Sequence, residues 1–249
     1  GKVHFYRISM DLHDDSEYDV SPLKRLDIIR RAEMKFFTFV GAFFLTAVFG
    51  SLALSQPAST STFYTFRRDV RRCAAPRCGG YFIKAVNQSR TRCADNRYQS
   101  ECYVANIEWG AQAQPENDRA LLRGTLRPGG NRWGRLGVLR VSEVWEAASA
   151  NQPTGRFFRV RDLGIRCIAA PCPTHHEVRL NSTTNRNVAG VDLAGAGAPD
   201  NTLSEANAAM TAPAGILVSG SHVPVTGPAG RSQMLKATQF YLRAGKPRQ

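Results

Sequence analysis

The sequence predicts an all-β fold made of two tandem copies of an antiparallel unit of about 90 residues, sandwich or barrel in type, preceded by an apolar signal or anchor helix. Three observations lead there: self-similarity between residues 57–150 and 151–249, a two-residue periodicity inside the matching segments, and an isolated apolar run from Phe36 to Leu54. At 249 residues, 43% hydrophobic and 9% aromatic, the chain has enough apolar material for a core, which excludes a disordered tail. Its 21 Gly and 13 Pro are ordinary usage and exclude a collagen-like repeat.

Residues 1–33 hold seven acidic residues and do not open with Met, and they read as a segment outside the fold. From Met34 the text has the layout of a secretory signal peptide over 34–55: Lys35, the apolar run, then small Ala53 and Ser55 before a cut ahead of Gln56. The rival is a membrane anchor, since residues 36–54 approach the ~20 apolar residues that span a bilayer and Lys24, Arg25, Arg30, Arg31 and Lys35 supply a positive flank. Either reading exports the remainder, as a secreted or periplasmic protein that touches the membrane only if 36–54 is retained. Residues 1–55 carry seven Lys/Arg against seven Asp/Glu, so the net charge of +13 falls on the exported part. There the cations are nearly all Arg and crowd one segment: Arg67, Arg68, Arg71, Arg72, Arg77, Lys84, Arg90, Arg92 and Arg97.

The two copies align in three blocks. FYTFRRDVRRCAAPRCGGYFIKAVN at 63–87 matches FFRVRDLGIRCIAAPCPTHHEVRLN at 157–181, pairing Phe63 with Phe157, Cys73 with Cys167, Cys78 with Cys172 and Asn87 with Asn181. VANIEWGAQAQPEN at 104–117 matches VAGVDLAGAGAPDN at 188–201. In the third block Gly124 meets Gly220, Gly134 meets Gly230, Leu139 meets Leu235 and Trp145 meets Tyr241. The changing offset leaves ten extra residues around Cys93–Cys102 in the first copy and twelve in the Ala-rich stretch NTLSEANAAMTAPAG of the second.

Strand periodicity recurs in these blocks. CYVANIEWG sets Tyr103, Ala105, Ile107 and Trp109 on one face against Val104, Asn106 and Glu108 on the other. YFIKAVN, LLRGTL, GVLRVSEVW, HEVRLN, GILVSGS and QMLKATQFYL are further strand candidates between Gly, Pro and Asn breaks, about five per copy. Only EVWEAASA has a briefly helical pattern.

Six cysteines in an exported chain point to disulfides. Their spacing favours local pairs, Cys73–Cys78, Cys167–Cys172 and Cys93–Cys102, the last lying inside an insertion that brings both of its own sulfurs. The alternative is a metal site using Cys167, Cys172, His175 and His176, weakened because Tyr81 and Phe82 stand where the second copy has its His pair.

CAAPRCGGYFIKAVN, ECYVANIEW, GIRCIAAPCP and the terminal QFYLR, following a signal peptide, resemble the bacterial secreted family called domain of unknown function 6748, over roughly residues 60–245. That resemblance implies an exported bacterial protein whose cysteines belong to the pattern. It implies no activity, cofactor or catalytic residue.

The chemistry-bearing motifs are thin. No Gly-x-Ser-x-Gly elbow occurs, HHEVRL lacks the second His of a zincin helix, and GGNRWGR lacks the Lys-Ser/Thr of a phosphate loop and reads as a hairpin turn. Glu108 and Asp192 occupy matching strand positions, one per copy, whereas a glycosidase needs two carboxyls across one cleft. Asn87-Gln88-Ser89 and Asn181-Ser182-Thr183 are glycosylation-type triplets that equally suit Asn closing a strand into a turn.

The leading expectation is a non-enzymatic exported module without a cofactor, whose Arg67, Arg68, Arg71, Arg72, Arg77, Arg90 and Arg92 contact anionic envelope polymers or a protein partner. Nucleic acid is not expected, because aromatic residues are not interleaved with these arginines. The alternatives are a protease inhibitor presenting disulfide-braced Pro loops, and a hydrolase gathering at least two of Glu108, Glu143, Asp162, Glu177, Asp192 and His222.

Overall fold

A computed structural model describes residues 61–245. The segments 1–33 and 34–55 lie outside the described residues, and with them the expected signal peptide or anchor. The described residues belong to one compact unit.

The first half comprises β1 (Thr62–Arg68), β2 (Tyr81–Ala85), β3 (Thr91–Arg92), β4 (Tyr98–Gln99), β5 (Cys102–Glu108), β6 (Leu121–Gly129), the short α1 (Gly130–Trp133) and β7 (Gly134–Ala147). The second half comprises β8 (Arg156–Asp162), β9 (His175–Arg179), β10 (Asn185–Val188), β11 (Gly190–Asp192), a 3-10 turn at Ala194–Ala196, α2 (Asp200–Thr211), β12 (Ile216–Gly227) and β13 (Gly230–Arg243).

In the first half β1 pairs with β2 and β6, β2 with β5, β6 with β7, and β5 runs parallel to β7. The ring therefore closes on itself and leaves no open edge among these five strands. The second half carries the same ladder with β10 and β11 together in the place of β5: β8 pairs with β9 and β12, β9 with β10, β12 with β13, and β11 runs parallel to β13. Registers correspond residue for residue. Tyr81 faces Val104 as His175 faces Val188, and Ile107 faces Leu139 as Val191 faces Leu235. Even the irregularity after Arg123 recurs after Ser219. Gly124 and Gly220 follow these bulges, and a Cβ there would run into the carbonyl oxygens of Arg140 and Lys236.

Each half fills its own core, Ile83, Val104, Leu122 and Leu139 in the first, Val160, Ile216, Val218 and Leu235 in the second. A third apolar cluster joins them: Phe63, Val86, Leu121 and Trp145 from one half meet Leu180, Leu217 and Tyr241 from the other, with Phe157 packed against them. Trp145 and Tyr241 are fully enclosed there, each side chain contributing about 1.5–3 kcal/mol of apolar burial. Strands β7 and β13 pair antiparallel across the same seam, Tyr241 with Ala147 and Arg243 with Trp145.

Two asparagines lock the seam. Asn87 sits at φ 60° and Asn181 at φ 55°, in the left-handed region that Asn tolerates better than most residues. The Asn87 amide donates to the Phe157 and Leu180 carbonyls at 2.7 and 3.0 Å and accepts from the Phe157 N–H at 2.9 Å. Reciprocally, Asn181 donates to the Phe63 and Val86 carbonyls at 2.8 and 2.9 Å and accepts from the Phe63 N–H at 2.8 Å. These side-chain amides are spent inside the protein, which removes the glycan reading of both triplets.

Three local expectations need correction. EVWEAASA is not helical: its first residues end the long strand β7, where Val144 faces the first core while Trp145 faces the seam, so both sides are buried and strand alternation is hidden. The helix lies instead in the Ala-rich insertion, as α2, which turns Ala206 and Met210 into the second core. In β5 the pairing with β7 shifts between Val104 and Asn106, so that Val104 and Ile107 both point inward and the strict two-face assignment fails.

Replacing Asn87 or Asn181 by Ala removes three hydrogen bonds and places Ala at positive φ, and should cost about 3 kcal/mol in denaturant unfolding. Gly at either site relieves the backbone term and should still cost about 2 kcal/mol.

Candidate functional site

The loop between β1 and β2, residues 69–80, collects three of the predicted basic residues, Arg71, Arg72 and Arg77, with the Cys73–Cys78 disulfide, whose Cα atoms are 5.5 Å apart. Asp69 is buried at its start and takes a two-point contact from Arg71, Nε to Oδ1 and Nη2 to Oδ2, both at 2.9 Å. That pairing, foremost its hydrogen bonds, holds the Asp69 carboxyl below its ordinary range. Arg71 also donates to the Arg77 carbonyl at 3.2 Å, and the Tyr103 hydroxyl donates to the Pro76 carbonyl at 2.8 Å. The loop is thus braced at several points, with Arg72 and Arg77 on its exposed surface.

Beside it, β2 and β5 present a pair of rings, Phe82 and Tyr103, edge to face at 5.5 Å between centroids. Arg67 lies 4.2 Å over the Phe82 ring and Arg71 lies 5.0 Å from it, while Arg68 stands 6.0 Å from Tyr81. Aromatic residues are therefore interleaved with the arginines after all. Tyr81 and Phe82 stand in the linear text between Arg77 and Lys84, Tyr103 comes from β5, and the pairing of β1, β2 and β5 brings all three beside the arginines. Since guanidinium groups already cover these rings, the patch offers hydrogen-bond donors and charge more than free stacking faces.

The predicted arginines divide by partner. Arg67 pairs with Glu101 at 2.7 Å and Arg71 with Asp69, whereas Arg68, Arg72, Arg77 and Arg90 have no ion pair among the described residues. Arg92 bonds only a neutral acceptor, Asn96, at 2.9 Å. Arg90 and Arg92 stand apart from the loop and line a cleft of about 510 Å³ shared with Tyr98, Gln88 and Asn181.

Cys93–Cys102 and Cys167–Cys172 are also bonded, with Cα separations of 5.4 and 6.0 Å, so all six cysteines pair with their sequence neighbours. The alternative metal site fails on this point, because Cys167 and Cys172 are spent on one another. His175 contacts the Thr174 hydroxyl at 2.8 Å and His176 contacts Asn187 at 2.9 Å. Among the described residues no His, Cys, Asp or Glu grouping is placed to hold a metal. The Cys167–Cys172 loop leans on the β12–β13 turn, where the Ala229 N–H donates to the Ala170 carbonyl at 3.0 Å, and it carries Ile168 fully exposed. Ahead of it Arg166 binds Asp162 at 2.8 Å, and that hydrogen bond chiefly holds the Asp162 carboxyl down to about 2.

Of the acids weighed for hydrolysis, Glu108 is bonded by Arg127 at 2.6 Å and Asp192 caps the Ala194 N–H at 3.0 Å. Glu177 and His222 do come together, 2.9 Å apart, with Arg186 Nε 2.6 Å from the same carboxylate. Linear reading could not have joined three residues from β9, β10 and β12. Glu177 is 1% exposed, and the cleft of about 510 Å³ is lined by other residues. By pairing register the trio replaces Ile83, Cys102 and Leu126, apolar core positions of the first half. It is a charged core contact whose ends satisfy one another.

A family model described as Domain of unknown function (DUF6748) matches residues 62–247, and the chain belongs to that family. Neither the curated proteins nor the solved structures contain a match. Three disulfides accord with an extracellular or otherwise oxidising compartment. No helix among the described residues is long and apolar enough to cross a membrane.

The Asp162–Arg166 pair predicts a pH dependence with a definite sign. Its stabilisation should be complete above the ordinary aspartate value of 3.8 and vanish as pH falls through about 2. Carboxyl NMR titration should place Asp162 near about 2, and Arg166→Gln should return it toward 3.8.

Proposed function

We propose that this chain is an exported bacterial binding protein without catalytic activity, built from a duplicated OB-type barrel and using its first barrel to hold an anionic envelope polymer. Support for the duplication comes from the shared ladder and registers of the two halves. Support for the barrel type comes from the strand sequence around each ring, first to second to third, then fifth and fourth, with the third and fifth parallel and a helix between third and fourth in the second half. Such barrels take oligomeric ligands on the face of strands 2 and 3 and in the loop between strands 1 and 2. This step is an analogy of fold, and the site itself must carry the function.

The observation that carries it is coincidence of place. Phe82 and Tyr103 lie on the second and third strands of the first barrel, and the loop between its first two strands is the braced segment bearing Arg72 and Arg77, with Arg68 beside it. The corresponding positions of the second barrel hold His176 and Asn187, and its loop offers Ile165 and Ile168. On this face and its adjoining loop the first barrel is thus furnished for anions and the second is not. Guanidinium-covered rings favour a sulfated or phosphorylated polysaccharide over bases that need bare rings to stack on.

A second reading rests on Ile168. An apolar side chain held fully exposed on a disulfide-closed, hairpin-backed loop suits insertion into a protease cleft. Slowed hydrolysis across a protease panel, abolished by Ile168→Glu, is its expected signature; unchanged rates remove it.

Dextran sulfate, neutral dextran and oligo(dT) compared at graded salt test the main reading. Dextran sulfate should bind, weaken steeply with salt, and lose about tenfold in affinity when Arg68, Arg72 and Arg77 are changed together to Gln. Tighter binding of oligo(dT), or equal binding by the variant, contradicts it.

A further inference from the structure

A second basic cluster lies at the seam, away from the arginines considered so far. Glu143 on β7 is nearly enclosed, and three guanidinium groups turn toward it: Arg123 of β6 at 2.7 Å, Arg159 of β8 at 3.5 Å and Arg243 of β13 at 3.9 Å. Its oxygens are already engaged. Arg123 donates to Oε1, and the Trp145 indole N–H donates to Oε2 at 2.9 Å. Arg159 and Arg243 consequently approach the carboxylate without a hydrogen bond to it, and neither guanidinium has another acceptor among the described residues.

Three positive charges against one negative leave an excess of two in a half-buried place. Arg159 is the most strained electrically: loss of solvent lowers its pKa first, Glu143 offsets part of this, and repulsion from Arg123 and Arg243 lowers it further. Its position is nevertheless fixed, since the guanidinium carbon sits 5.6 Å from both the Phe63 and Trp145 ring centroids. The register-equivalent place across the seam is neutral. There Gln239 stands for Glu143, Ser219 for Arg123, Thr65 for Arg159 and Ala147 for Arg243, and the Gln239 amide donates to Ser149 and Asn151. Holding the seam therefore does not require the arginines.

We propose that Arg159 and Arg243, backed by Arg123 and Glu143, form a binding site for a dianionic oxyanion of the phosphate kind. The geometry supplies what such a ligand needs: two planar forks with unspent N–H donors, one of them, Arg159, held against the Phe63 and Trp145 rings, and both drawn toward Glu143 from β8 and β13. A phosphate group near neutral pH carries close to the charge the cluster has in excess. The site is independent of the polymer-binding reading, because it shares none of its residues.

Calorimetric titration with inorganic phosphate decides it, with acetate and chloride at equal ionic strength as comparisons. Phosphate should bind saturably with one equivalent per chain and more tightly than acetate, while chloride gives no isotherm. Arg159→Gln and Arg243→Gln should each weaken phosphate by about tenfold. Arg68→Gln should leave it unchanged, and that same variant reports on the polymer face. Thermal midpoints taken without phosphate show whether each variant is folded; if Arg159→Gln is not, the half-exposed Arg243 decides alone. An absent isotherm, or one that Arg243→Gln leaves intact, overturns the proposal.

Discussion

Two asparagine amides fix the relation on which the rest of this structure depends. Each sits where a strand ends, at a backbone angle few side chains accept, and spans to the opening strand of the opposite half. An amide suits the position because it donates and accepts at once, so one side chain satisfies both the N–H and the C=O of Phe157, or of Phe63. Those two phenylalanines then lie against Trp145 and Tyr241, and β7 pairs with β13 around the same centre. A polar contact that is satisfied in both directions sets the alignment, and the apolar side chains around it supply the bulk of the free energy.

On this shared frame the two halves carry different chemistry. Where the first barrel has Ile83, Cys102 and Leu126, the second buries Glu177 beneath a partly buried His222 and an exposed Arg186. Burying the Glu177 carboxylate costs desolvation, which its close contacts with Arg186 and His222 offset. Outward-facing positions differ as well. Arginine and aromatic rings face solvent from β2, β5 and the adjoining loop of the first barrel, while the matching loop of the second offers isoleucine.

Much of this was legible in the sequence. Strand alternation in FYTF and YFIKAVN, the paired glycines at 124 and 220, and the pairing of each cysteine with its neighbour all follow from local spacing, and local spacing is what a one-dimensional text displays. The misreadings share a cause. EVWEAASA looked helical because a strand buried on both sides shows no alternation, and Val104 and Ile107 were set on opposite faces because a bulge resets the count. The Tyr103 ring beside Arg71, the Glu177 carboxylate at His222 and the arginines around Glu143 were invisible because each set is assembled from strands distant along the chain. Asn87 and Asn181 stood in register in the text, yet nothing local says that each reaches across to the other half.

The central claim is that the two halves fold and melt as one body through this seam. Scanning calorimetry of the whole chain tests it most directly. The account predicts a single transition for the disulfide-intact protein, with the calorimetric enthalpy equal to the van't Hoff enthalpy. Two resolved transitions, or a calorimetric enthalpy well above the van't Hoff value, would mean that the halves are independent and that the asparagine contacts merely decorate a loose junction.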